Sequence, residues 1–109
     1  MVTEEKQIHQ IMDTLGHQTR RDILALLKES AMPVGDLADR LPISRPAVSK
    51  HLRLLETAGL VEHRPSGTRN IFRLRPHGFD AARAYLESFW DEALEDFQRV
   101  AEHQAEPER

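Results

Sequence analysis

Cysteine is absent from all 109 residues. This chain can therefore build no disulfide framework, thiolate nucleophile or thiolate metal site, and a reducing compartment is compatible with it. Aromatic residues are scarce, at 6%, and no run approaches the ~18 consecutive apolar residues of a membrane span. The amino terminus, MVTEEKQIHQ, is charged where a secretion signal would be apolar. A soluble, cytoplasmic protein with no membrane contact is expected. Also missing are a glycine-rich phosphate loop, a His-Glu-x-x-His zinc motif and a serine nucleophile in a recognisable setting. Carboxylates are abundant, but spacing alone does not make a pair catalytic, so neither an enzyme nor a bound cofactor is expected. Proline (6) and glycine (5) are too few to mark a low-complexity or repetitive chain; they punctuate one domain.

What is present is charge, unevenly placed. Residues 40–75 hold eight Lys and Arg against two Asp and Glu, residues 1–39 hold four against seven, and residues 76–109 hold three against nine. A net charge of −3 thus conceals a central segment of +6 between two acidic ends. That asymmetry points to a polyanionic partner for the middle of the chain.

Apolar spacing predicts a mainly helical protein with a small β-hairpin. Thr3 can cap a first helix over Glu4–Leu15, with Ile8, Ile11, Met12 and Leu15 on one side, and Gly16 ends it. A second helix spans Gln18–Glu29, carrying Ile23, Leu26 and Leu27 on one face, and Ser30 to Pro33 breaks it. A short third helix runs from Val34 to Leu41, where Pro42 stops it. Ser44 stands at an N-cap position, Pro46 is tolerated in the first turn, and a fourth helix runs from Arg45 to about Ala58 with Gly59 as its left-handed cap. Leu60–Arg64 and Arg69–Arg75 read as two strands around the turn Pro65-Ser66-Gly67-Thr68.

The last helix, about Asp80–His103, carries Phe79, Ala82, Leu86, Phe89, Trp90, Ala93, Leu94, Phe97, Val100 and Ala101 on one stripe. At ~1.5 Å per residue the stripe is roughly 35 Å long, more than so small a chain can cover. A homodimer is expected, built on Ile8, Ile11, Met12 and Leu15 of the first helix with Leu86, Phe89, Trp90, Ala93, Leu94 and Phe97 of the last. The domain then divides into dimerisation helices at 1–16 and 78–103, a helix-turn-helix at 34–58, a wing at 60–75 and a frayed tail at 104–109.

On the fourth helix Val48, Leu52 and Leu55 share a buried face with His51, while Arg45, Pro46, Ser49, Lys50 and Arg53 share the opposite arc. An α-helix fits the DNA major groove, and Arg, Lys and Ser reach base edges from it. Arg45 and Arg53 suit bases or nearby phosphates, Ser49 and Lys50 base edges or backbone, and Ser44 with the helix N-terminus a phosphate. The hairpin offers Thr68, Arg69 and Arg73 for phosphate or minor-groove contact. A charge run alone is usually a solvated face; here cap, turn, helix and basic hairpin occur together.

The segments LGHQTRRDILALL, VGDLADRL, ISRPAVSKHLRLLETAGLV and RPSGTRNIFRL resemble, in order and spacing, the ArsR-type winged-helix repressors. The resemblance covers nearly the whole chain, and its most specific part is the stretch around Ser49, His51-Leu52, Leu55 and Gly59-Leu60-Val61. It implies a winged helix-turn-helix dimer, with first and last helices at the interface, that binds a pseudo-palindromic operator and represses transcription. The chain departs from metal-sensing members. Pro33 and Gly35 stand where their two third-helix cysteines would be, and Asp80 is followed two places on by Ala82 rather than His, with only His103 late in the last helix. Neither metal site is expected, and no small-molecule effector is specified.

Two alternatives remain at this point. The winged helix could serve protein recognition, for which a neutral or acidic fourth helix would be the mark. The histidines could build an unconventional site, for instance His9 or His17 meeting His103 or Glu102 across a dimer, although a lone histidine is far more often structural or exposed.

Overall fold

A computed structural model describes residues 4–105. Five helices and three short strands follow one another as α1 (Glu4–Leu15), α2 (Gln18–Glu29), β1 (Met32–Pro33), α3 (Val34–Asp39), α4 (Arg45–Thr57), β2 (Val61–Ser66), β3 (Arg69–Leu74) and α5 (Asp80–Ala105). The winged helix-turn-helix order expected from the sequence is observed, with one addition. Met32 and Pro33 form an edge strand that pairs antiparallel with Phe72 and Ile71, so the hairpin becomes a three-stranded sheet in the order β1-β3-β2. Proline is tolerated there because an edge strand has one side on which no N–H is needed. Some boundaries also shift: α3 ends at Asp39 rather than Leu41, α4 at Thr57 rather than about Ala58, β2 runs Val61–Ser66 rather than Leu60–Arg64, β3 ends at Leu74 rather than Arg75, and α5 continues two residues past His103. The Thr3 cap and the last four residues of the 104–109 tail lie outside the described residues.

Local chemistry explains the joints. Arg21 Nη1 donates to the Leu15 carbonyl at 2.7 Å, satisfying the open end of α1 from the start of α2. Ser44 Oγ accepts from the Ala47 N–H at 3.3 Å at the start of α4. At its other end Gly59 takes φ +81° and Leu60 N–H returns to the Leu55 carbonyl at 3.0 Å, a Schellman closure that reverses the chain into β2. Only Gly67 and Thr68 separate the paired Ser66 and Arg69, and Gly67 at φ +65° supplies the left-handed residue such a two-residue turn requires.

The core gathers Ile11, Ile23, Leu27, Leu37, Val48, Leu52, Leu55, Leu60, Val61 and Phe72 from α1 to β3. Ile11 therefore does not belong with the expected dimer contacts: it is fully buried inside its own domain. From α5 the core receives Ala82, with Phe79 packed against it. Every described side chain from Leu86 onward is exposed. The helix carries its remaining length away from the body, giving a radius of gyration of 19.7 Å against ~13 Å for a compact domain of this size.

Candidate nucleic-acid interface

Burial of Val48, Leu52 and Leu55 fixes the roll of α4 about its axis, and the opposite arc is thereby presented outward. Arg45, Lys50 and Arg53 are exposed on it, and Ser49 is half-buried. The β2–β3 hairpin stands beside this arc, and a cleft of about 320 Å³ opens between them. Arg45, Ser49 and Arg53 line it from the helix, Thr68 and Arg69 from the hairpin tip, and Pro33, Val34 and Phe72 close its base. Five of the eight residues expected to contact DNA thus converge from sites up to 24 positions apart in the chain.

The other three are placed differently. Ser44 is exposed at the N-cap, and Lys50 lies further round the helix, outside the cleft. Arg73 is engaged across the strands: its Nε donates to Glu62 Oε2 at 2.7 Å, with Nη2 at 2.5 Å from the same oxygen. That guanidinium holds the Glu62 carboxyl below the usual carboxylate range, chiefly through the hydrogen bond and against a smaller effect of burial. The geometry makes Arg73 a brace within the wing.

Glu56 and Asn70 also line the cleft and were not singled out from the sequence. Helical spacing from Arg45, Ser49 and Arg53 places Glu56 on the same arc, and strand alternation places Asn70 with Thr68, so both signals were available. Glu56 is in turn held by the wing, with its Oε2 2.5 Å from His63 Nδ1. Asp36, at the start of α3, lies 3.6 Å from Arg69 Nη2. Glu56 and Asp36 are therefore each paired with a basic group of the wing, as Glu62 is within it.

His51 is half-buried on the inner side of α4, where its Nδ1 accepts from Arg20 Nε at 3.3 Å. Desolvation, then the nearby charges of Arg20, His17 and Lys50, keep its pKa below the ordinary histidine value.

The positions at which the resemblance would put metal-binding thiolates offer no donor. Pro33 is in the edge strand, and a Cβ on Gly35 would sit 3.7 Å from the Arg45 guanidinium, beside a cation. Where the second type of site would have histidine, Ala82 is buried in the core, and Asp80 Oδ2 is already 3.0 Å from His77 Nδ1. Among the described residues no three His, Asp or Glu side chains converge as a metal cage.

On the far side of the molecule, Leu15, Phe79, Ala82, Leu86 and Trp90 line a groove of about 410 Å³ between α1 and α5. Leu86, Phe89, Trp90, Leu94 and Phe97 continue it as an exposed apolar surface, with Ala93 among them. Ile8, Met12 and Leu15 are half-buried beside it.

The chain is similar to known proteins over most of its length. A helix-turn-helix domain family matches residues 15–64, the span from the end of α1 into β2. The HTH-type transcriptional regulator Rv2034 of Mycobacterium tuberculosis is 44% identical over 92 residues, 84% of this chain and 86% of its own. Among solved structures, an ArsR-like transcriptional regulator from Rhodococcus sp. RHA1 superposes with a TM-score of 0.71 at 31% identity, over 87% of this chain and 92% of that one. A homodimeric winged helix-turn-helix DNA-binding domain from Mycobacterium bovis superposes with a TM-score of 0.63 at 33% identity, over 83% of each chain. With likeness in sequence across 84% of its length, and in fold across 87%, the chain belongs to the ArsR family of helix-turn-helix transcriptional regulators.

Proposed function

We propose that this protein is a cytoplasmic homodimer that binds a pseudo-palindromic operator in double-stranded DNA and represses transcription, without enzymatic activity. The observation that carries this reading is the cleft in which Arg45, Ser49 and Arg53 meet Thr68 and Arg69. Inserted in the major groove, α4 offers Arg45 and Arg53 to bases or adjoining phosphates, and Ser49 with Lys50 to base edges or backbone. The exposed Ser44 hydroxyl and the first turn of α4 approach a phosphate from the helix end. Thr68 and Arg69 follow the backbone or minor groove beside it, and Arg73 keeps the wing in register through Glu62.

Two copies meet through the apolar groove of α1 and α5, with Ile8, Met12, Leu15, Leu86, Phe89, Trp90, Ala93, Leu94 and Phe97 in the interface. The homodimeric relative supports this arrangement. Symmetry then spaces the two recognition helices about 34 Å apart, one turn of duplex. With no cysteine in the sequence and no convergent donor set among the described residues, the regulatory signal of this protein is not a thiolate-bound metal.

Footprinting over the promoter region next to its own gene tests the reading. Two symmetric protected half-sites are expected, and Arg53→Ala weakens binding by about 1–3 kcal/mol per half-site with the fold intact. A protein that bound this region no better than random duplex would contradict the proposal.

A further inference from the structure

Three acid–base pairs tie the wing, and they differ in kind. Glu62 and Glu56 are held in close contacts, Arg73 Nε at 2.7 Å and His63 Nδ1 at 2.5 Å. The Arg69–Asp36 pair is long, at 3.6 Å, and both side chains remain more than half exposed, at 59% and 53%. Such a pair is weak in water and exchanges readily. Arg69 is also the first residue after the turn, at the wing tip, and it lines the cleft. Arg45 lies over Gly35, next to Asp36 in the chain. Asp36 thus offers a carboxylate to a cleft arginine that would otherwise face a phosphodiester.

We propose that Asp36 is an internal rival of the DNA backbone: its carboxylate holds Arg69 in the free protein, and a phosphodiester oxygen takes that guanidinium over on binding. This rests on the DNA-binding reading above. The exchange is possible because the Asp36 contact is loose, whereas a charge-assisted, two-pronged contact to phosphate is short and releases a counterion from the duplex. After the exchange Asp36 faces the incoming phosphate as a like charge, so the residue lowers affinity twice, by occupying Arg69 and by repelling its new partner. A weak surface pair of this kind corresponds to roughly twofold to fivefold per half-site, hence roughly 4- to 25-fold for a symmetric dimer.

The test uses the full chain and fluorescence anisotropy with two duplexes, one from the region upstream of its own gene and one of random sequence, across a salt series. Asp36→Asn is expected to tighten binding by that factor. Arg69→Ala is expected to weaken it and to reduce the slope of log K against log salt by about 0.9 per protomer. Asp39→Asn removes the same charge from the exposed side of the same helix and is expected to change affinity much less. Unchanged or weaker binding by Asp36→Asn overturns the proposal, as does an unchanged salt slope in Arg69→Ala or equal tightening by Asp39→Asn. Any of these, with the unmodified chain still preferring its upstream DNA, leaves the repressor reading standing. Loss of all duplex binding by the unmodified chain removes both.

Discussion

Replacing Trp90 by alanine separates what holds two copies together from what holds one copy folded. Trp90 lines the α1–α5 groove and is 64% exposed in the single chain. A large aromatic side chain buries about 150–250 Å², so seating a partner on that exposed fraction removes about 100–160 Å² from water, or about 2.5–4 kcal/mol at ~25 cal/mol/Å². A two-fold interface uses each residue twice. Alanine keeps the Cβ and the helix, and neighbours recover part of the cover, so the net loss is about 4–6 kcal/mol. That corresponds to a dimer Kd raised on the order of a thousandfold to ten-thousandfold. Sedimentation velocity over a concentration series measures it directly: the unmodified chain runs at about twice its 12.5 kDa mass, and Trp90→Ala dissociates at micromolar concentration. Operator affinity falls with it, since one half-site then binds without the other. A Kd within about threefold of the unmodified value would refute the reasoning and mean that something other than a second copy covers this face.

Two further substitutions address the joints of the fold. In Gly78→Ala the new Cβ would lie 2.4 Å from the Gly59 carbonyl oxygen and 3.1 Å from that of Arg75, backbone atoms that cannot rotate away. A loss of about 2–3 kcal/mol is expected, lowering the melting temperature by roughly 10–20 °C, and a shift below about 3 °C would show that the junction relaxes easily. His51 has a depressed pKa in the fold, so its neutral form is the native one. Its contribution is present above the unfolded value of 6.5 and is lost as pH falls through the lower folded value. The melting temperature should therefore drop as pH falls below about 6.5, and His51→Gln should flatten that dependence; an equal drop in the variant would exclude His51 as its source.

The helices were legible because each carries its own period and its own stops. Gly16, Pro42, Ser44 and Gly59 act within a few residues of where they stand, and α2 has the bounds its sequence predicts. What could not be read are pairings set by distant parts of the chain. β1 is two residues long, contains a proline, and exists only because Phe72 and Ile71 return beside it some 40 positions later. Ile11 illustrates the same limit on a helix. Periodicity groups it with Ile8, Met12 and Leu15, but only the packing of α1 on the rest of the domain decides which of them turns inward. In the cleft, the outward arc of α4 follows from spacing alone, whereas the separation of Arg69 from Arg73 does not. Strand alternation puts both arginines on one face; the register that sets Glu62 against Arg73, and the fold that brings Asp36 near Arg69, sort them into a close brace and a longer, more exposed contact.

The acidic bulk composition of the chain is compatible with a polyanionic partner because charge acts locally in salt. At physiological ionic strength exposed charges separated by more than ~8 Å are largely screened from one another. The carboxylates of α5 sit mostly along a helix of 26 residues, ~39 Å long, whose outer part leaves the body. None of them lines the cleft. Glu56, which lines the cleft, and Asp36 and Glu62 each already face a basic partner of the wing. On the proposed exchange, affinity depends on which of those partners can be surrendered to a phosphate. Arg73 is held at 2.5–2.7 Å and half-buried, while Arg69 is held at 3.6 Å in the open, so the wing contains one arginine that stays and one that can move.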